Sequence, residues 1–196
     1  MTKCVEFFFD LGSPASYLAW TQLPGLCARR GARLDYRPML LGGVFQATGN
    51  ASPVMVPAKG KYMLLDLQRF AQRYGVPLGL PPGFPINTLG LMRGLIGTQL
   101  QAPERFEVLL EVLFKALWVE QRDLAEAAVL DETLDRAGFD PAWFRALAGD
   151  AAVKEALKQV TEEAVTRGVF GAPTCFVEGQ MFFGQDRLDF VEQALL

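Results

Sequence analysis

Residues 4–10, "CVEFFFD", form a short aromatic run ahead of a Gly turn, which predicts a buried strand. From Pro14 onward, Tyr17, Leu18, Leu23, Leu26 and Cys27 recur at helical spacing. Proline is favoured at the first helical position, Ser13 can cap it, and Gly31 ends the pattern. "ARLDYRPML" (32–40) reads as a second strand with Leu34 and Tyr36 on one face, completing a β-α-β unit. Residues 42–57, "GGVFQATGNASPVMVP", read as a Gly/Ser/Pro loop. Tyr62, Leu65, Arg69 and Phe70 mark an amphipathic helix over 58–74, closed by Gly75. "PLGLPPGFPIN" (77–87) is a Pro-rich connection, and Asn87 is placed to cap a helix running to about Gln101. Pro103 starts the next helix, which contains "FEVLLEVLFKALWVE"; two shorter helices split at "GFDP", and a last one ends at Gly168. The chain closes with a strand (174–178), a Glu178-Gly179 turn, a strand (180–183) and a helix (about 186–195). The order is therefore β-α-β, a helical block, then β-β-α.

Composition removes several function classes. With 196 residues, half of them hydrophobic, the chain suits one large domain or a domain carrying an insertion, and it can bury a core without staples. A net charge of −3 with scattered basic residues argues against nucleic acid or a membrane surface as partner. "MTKCVEFFFD" lacks the pattern of a secretory leader, and no stretch is apolar enough to span a bilayer, so a cytoplasmic protein is expected. Three cysteines (Cys4, Cys27, Cys175) without CxxC spacing predict neither a disulfide framework nor a zinc site. There is no histidine. A Ser-His-Asp triad, a Cys-His pair and a His-bound metal are excluded, so any proton chemistry comes from other groups, from water or from a cofactor.

Two short stretches carry the remaining signal. Gly12-Ser13-Pro14-Ala15-Ser16 sits where a strand hands over to a helix, and Gly171-Ala172-Pro173-Thr174 precedes a strand. Taken singly, Ser13 reads as a helix cap and Pro173 as a strand-initiating proline. Together, bracketing this element order, they resemble a thioredoxin fold, in which the strand-helix corner holds a CxxC and faces a cis-proline loop. "SPAS" stands where DsbA-type proteins carry "CPHC", with serine at both cysteine positions.

With "FFFDLGSPASYLAW", "GGVFQATGN", "VPAKGKYMLLDLQR", "FPINTL", "GVFGAPTCFVEG" and "MFFGQDRLDFVEQAL", nearly the whole chain resembles the 2-hydroxychromene-2-carboxylate isomerases and their kappa-class glutathione transferase relatives. The resemblance implies an α/β, thioredoxin-like domain (1–42 and 169–196) with an inserted all-helical domain (43–168). It implies glutathione as a regenerated cofactor, a small aromatic-derived substrate, and a homodimer. Ser13 would be the catalytic serine beside the glutathione sulfur. Ala172 would pair its backbone with the glutathione peptide, and Gln185 and Asp186 would hold the γ-glutamyl end. Asn50 and Lys59 would complete the glutathione site, and Phe84 and Asn87 the substrate pocket. Plain structural roles compete at two of these sites: an acid such as Asp186 is favourable at any helix start, and Asn87 suits a cap; Ser16, one turn on from Ser13, suits packing. The resemblance leaves open a kappa-like transferase that consumes glutathione. A non-catalytic thioredoxin-fold protein that holds peptides is a further alternative. A disulfide oxidoreductase is disfavoured, because Ser13 and Ser16 cannot form a disulfide.

The residue types suit the implied chemistry. A helix N-terminus offers unpaired N–H groups and the positive end of a dipole, and it stabilises a thiolate. A serine hydroxyl adds a charge-assisted hydrogen bond of about 1.5–3 kcal/mol, equivalent to about one to two pKa units. A ligand's thiol placed there ionises near neutral pH without a histidine.

Overall fold

The computed structural model describes residues 2–196. Its centre is a four-stranded sheet in the order β2-β1-β3-β4, formed by β1 (Cys4–Phe9), β2 (Arg33–Pro38), β3 (Thr174–Val177) and β4 (Gln180–Phe183). β1 and β2 run parallel with Phe7 opposite Tyr36, as the right-handed β-α-β crossover through α1 (Pro14–Arg30) requires. β3 lies antiparallel to β1 with Cys175 opposite Phe7, and β4 returns along it. The hairpin turn takes positive φ at both Glu178 (48°) and Gly179 (82°), the geometry that matches strand twist.

Strand periodicity divides the core. Val5, Phe7 and Phe9 point to one face, where Tyr17, Leu18, Leu23 and Cys27 of α1 cover them. Phe8 points to the other, with Met39, Val44, Ala164, Val169 and Phe176. Between β2 and β3 run α2 (Leu41–Thr48), α3 (Pro57–Tyr74), α4 (Leu89–Gln101), α5 (Phe106–Trp118), α6 (Ala127–Arg136), α7 (Pro141–Gly149) and α8 (Ala151–Thr166); α9 (Leu188–Ala194) ends the chain. This is a thioredoxin-like α/β core with an inserted helical subdomain. The insert is tightly packed: a Cβ added at Gly94 on α4 would fall inside the Phe144 ring of α7. Its last helix returns to the sheet, where the Arg167 guanidinium grips both Glu6 carboxylate oxygens (2.6 and 2.8 Å) and lies 3.9 Å over the Phe176 ring.

The structure departs from the sequence expectation in three places. Residues 42–57 are not a loop: they hold α2 and a 3-10 turn at Pro53–Met55. Gly42 and Gly43 are poor helix formers, but α2 is anchored from outside. The Leu41 N–H donates to Asp10 Oδ2 (2.8 Å) and the Leu40 N–H to Thr161 Oγ1 (3.0 Å), while Val44 is buried. Thr88, not Asn87, is the N-cap residue of α4, although Asn87 Oδ1 accepts from the Leu89 N–H (3.1 Å). The closing helix begins as a 3-10 turn over Gln185–Arg187 before α9.

Among the described residues no helix is long and apolar enough to cross a membrane, and no group of His, Cys, Asp or Glu is placed to hold a metal.

Candidate active site

Ser13 ends the strand-helix corner in extended backbone (φ −98°, ψ 112°), and its side chain is engaged twice. Oγ accepts from the Ser16 N–H (3.1 Å), as an N-cap does, and donates to the Ala172 carbonyl (3.0 Å). The Ala172–Pro173 bond is cis. The corner and the cis-proline loop thus meet through one hydroxyl that is 5% exposed. At the helix end Pro14 has no N–H, Ser16 is capped, and the Tyr17 N–H donates to the Ser13 carbonyl. The Ala15 N–H has no partner among the described residues. An anion at this corner would find that N–H, the helix dipole and the Ser13 hydroxyl.

Most of the other expected residues connect to this corner by short chains of contacts. Gln185 and Asp186 follow Gly184, whose N–H donates to the Pro173 carbonyl (2.9 Å). Gln185 is buried and its carbonyl accepts from Tyr74 Oη (2.7 Å), which fastens the end of α3 to the same turn. The Asp186 carboxylate is exposed and paired with Arg187 (2.6 Å). Asn50 donates to the Phe170 carbonyl (2.8 Å) and accepts from the Ala51 N–H (2.8 Å), so both ends of its amide are already used in holding the α2 exit to the cis-proline loop. Phe84 meets Trp118 edge to face (5.8 Å), and Trp118 Nε1–H donates to the Leu11 carbonyl (2.9 Å) just before the corner. Lys59 is exposed on the first turn of α3 and is joined to none of these residues. Asn87 is exposed, and its carbonyl oxygen serves the α4 start.

Sequence reasoning missed the residue on which the corner rests. Asp10, 2% exposed, accepts from the Gly12 N–H (2.8 Å) and Thr88 Oγ1 (2.7 Å) on one oxygen and from the Leu41 N–H (2.8 Å) on the other. One carboxylate joins the strand-helix corner to the starts of α2 and α4. Burial raises its pKa above the ordinary range, against the three hydrogen bonds that lower it. The available signal was an acid closing an otherwise apolar strand, a position where a charge needs partners. Gly12 also belongs to this joint, since a Cβ there would come within 3.0 Å of Thr88 Cγ2.

The cysteines lie away from the corner and are poor nucleophiles. Burial pushes the Cys27 thiol up to about 11 and Cys175 higher still, and it also raises Cys4. Ser16 Oγ is buried without a hydrogen-bond partner among the described residues, consistent with a packing role.

These features match known proteins. Residues 4–196 match the DSBA-like thioredoxin domain family. The chain is 37% identical to a 2-hydroxychromene-2-carboxylate isomerase of Sphingobium xenophagum, over the full length of both. It is 30% identical to glutathione S-transferase kappa 1 of Rattus norvegicus, covering 98% of this chain and 91% of that one. Its fold superposes on a 2-hydroxychromene-2-carboxylate isomerase structure with a TM-score of 0.87 at 32% identity, covering 98% of this chain and 94% of the other. A probable DsbA oxidoreductase from Streptomyces coelicolor, 20% identical, shares the fold with a TM-score of 0.73. The chain belongs to the DSBA-like thioredoxin family, in the branch that holds the 2-hydroxychromene-2-carboxylate isomerases and the kappa-class glutathione transferases.

Proposed function

We propose that this protein is a glutathione-dependent isomerase that converts a 2-hydroxychromene-2-carboxylate to the trans-o-hydroxybenzylidenepyruvate. The observation that carries the reading is the corner itself: a serine hydroxyl, not a cysteine, faces the Ala172–cis-Pro173 loop beside an open helix N-terminus. Such a corner cannot form a disulfide, yet it offers the Ser13 hydroxyl and the Ala15 N–H to a thiolate. The sulfur must come with a ligand. The donor set suits glutathione, with a hydroxyl and an N–H for sulfur, the Ala172 carbonyl for a peptide N–H, and the Asp186 carboxylate for an ammonium group. The chemistry that bound glutathione supplies is a thiolate that adds to the conjugated substrate and leaves after bond rotation, without being consumed.

The roles of this chain's residues follow. Ser13 keeps its lone pair on the Ser16 N–H and turns its proton from the Ala172 carbonyl to the sulfur, which frees that carbonyl for a peptide N–H. Gln185 and Asp186 receive the γ-glutamyl end, with Asp186 exchanging Arg187 for the ligand's ammonium. Asn50 holds the cis-proline loop through Phe170, and Lys59 takes the glycine carboxylate. Phe84 forms the apolar wall for the aromatic ring, and Asn87, whose Oδ1 accepts from the Leu89 N–H, stands at the pocket edge.

The test measures total glutathione and product over many turnovers. Isomer formation with glutathione unchanged, and none with S-methylglutathione, supports the reading. A stoichiometric fall in glutathione identifies a transferase, and full activity without thiol removes the borrowed nucleophile.

A further inference from the structure

One sizeable cavity lies apart from the residues assigned to this chemistry. It is a groove of about 630 Å³ between α2, the start of α4 and one face of α8. None of the residues assigned above to glutathione or to the aromatic substrate lines it. The volume lies within the roughly 300–1,000 Å³ of small-molecule sites. Its α8 wall is a single helical stripe: Lys154, Leu157, Lys158, Thr161, Glu162, Val165 and Thr166 recur at i, i+3 and i+4 spacing. Leu40 and Leu89 complete an apolar floor with Leu157 and Val165.

The charges are what select a ligand. Arg93, Lys154 and Lys158 line the groove against one acid, Glu162, which is paired with Lys158 (3.7 Å). Among the described residues Arg93 and Lys154 have no acidic partner. Two uncompensated cations therefore share one apolar groove in a protein whose net charge is −3. Lys154 lies in the first turn of α8, where the helix dipole adds to its field. A neutral apolar ligand would leave these cations idle, and a small inorganic anion would leave the floor uncovered.

We infer that the groove between α2 and α8 is a second binding site, for an amphipathic organic anion with a flat apolar body and one carboxylate. The carboxylate pairs with Arg93 and Lys154, and the body covers Leu40, Leu89, Leu157 and Val165. The site is independent of the reaction proposed above, but it is mechanically close to it. Leu40 and Leu89 are sequence neighbours of Leu41 and Thr88, which hold the two sides of Asp10.

The experiment is calorimetric titration of the full chain with 2-naphthoate, with 2-naphthylmethanol as the uncharged body. Saturable binding of the anion is expected, at least about tenfold tighter than the alcohol. Arg93→Gln with Lys154→Gln should weaken it by at least about tenfold, leaving glutathione-supported turnover unchanged. Ala47→Trp, which fills the groove from an exposed position of its lining, should abolish binding if the charge variant folds poorly. Saturating glutathione together with the chromene substrate should not displace naphthoate. No saturable binding, equal binding of the alcohol, insensitivity to either variant, or competition with the substrate would each overturn the second site. The titration needs no turnover, so an absence of isomerase activity leaves its outcome unaffected.

Discussion

Removing the Asp10 carboxylate is the sharpest perturbation of the joint beneath the active site. Asp10→Ala strips the acceptor from three donors at once: the Gly12 N–H, the Thr88 hydroxyl and the Leu41 N–H. A buried donor left without a partner costs about 1–3 kcal/mol. Gly12 and Leu41 are only partly buried, so water reaches part of this deficit, and the Thr88 hydroxyl can turn away. The sum therefore falls near the lower bound, about 3–5 kcal/mol. At about 2–4 °C per kcal/mol for a chain of this size, Tm should fall by about 6–20 °C. Asp10→Asn is a finer probe. Its carbonyl can serve Gly12 and Thr88, but its NH₂ then faces the Leu41 N–H, donor against donor. The loss should be about 1–3 kcal/mol and should fall on α2 rather than on Ser13.

The pH dependence gives a second readout. Burial raises the folded pKa of Asp10, so its contribution is fully present below the unfolded value near 3.8 and is lost as pH rises through the folded value. The stability gap between wild type and Asp10→Asn, measured by urea denaturation, should narrow with rising pH. A gap that widens would mean that the three donors outweigh desolvation, and an unchanged Tm for Asp10→Ala would remove the joint altogether.

Three further outcomes are expected. Ser13→Ala should lower stability by about 1 kcal/mol through loss of the cap, but lower isomerase kcat more than about tenfold through loss of thiolate stabilisation; unchanged turnover at saturating glutathione would leave Ser13 as a cap only. Replacing Cys4, Cys27 and Cys175 together by Ser or Ala should leave the glutathione-supported rate of the folded protein intact, because none lies at the corner and burial holds all three thiols protonated. Arg167→Ala should cost about 1–2 kcal/mol at neutral pH for a partly buried, bidentate pair. Arg167 holds Glu6 below its ordinary 4.5, so the difference in urea midpoint should shrink as the solution is acidified below that value.

The elements that could be read from the sequence are those whose signals are local. β1 is an aromatic run, α1 carries its own proline, serine cap and terminal glycine, and the closing hairpin carries its own Glu-Gly turn. α2 was illegible for the opposite reason. Its two glycines argue against a helix, and the groups that overrule them, Asp10 and Thr161, lie 31 and 121 residues away. The α4 cap shows the same effect on a smaller scale. Asn87 does bond the first turn, but Thr88 takes the cap position while its hydroxyl reaches back 78 residues to Asp10. A pattern read along the chain contains no trace of a partner contributed by tertiary structure.

The site divides along the same line. Ser13 and Ala172 stand out only through the pairing of their two stretches and the family resemblance, because a helix cap and a residue before a strand-opening proline are each ordinary taken singly. What neither position discloses is that the two residues are bonded to each other. That contact changes how the corner works. In the free protein the Ser13 proton satisfies the Ala172 carbonyl, so neither group is left unpaired while the site waits. A ligand that brings both a sulfur and a peptide N–H satisfies the two groups together, whereas a simple thiol takes the hydroxyl and strands the carbonyl. Stranding a buried acceptor costs about 1–3 kcal/mol, enough for the corner to prefer a peptide-borne thiol to a bare one by about 5- to 150-fold. Under the function proposed above, selectivity for glutathione over small thiols is the expected consequence of this one shared proton. The same argument explains why a cap residue, otherwise worth about 1 kcal/mol, stands at the point where the two halves of the fold meet.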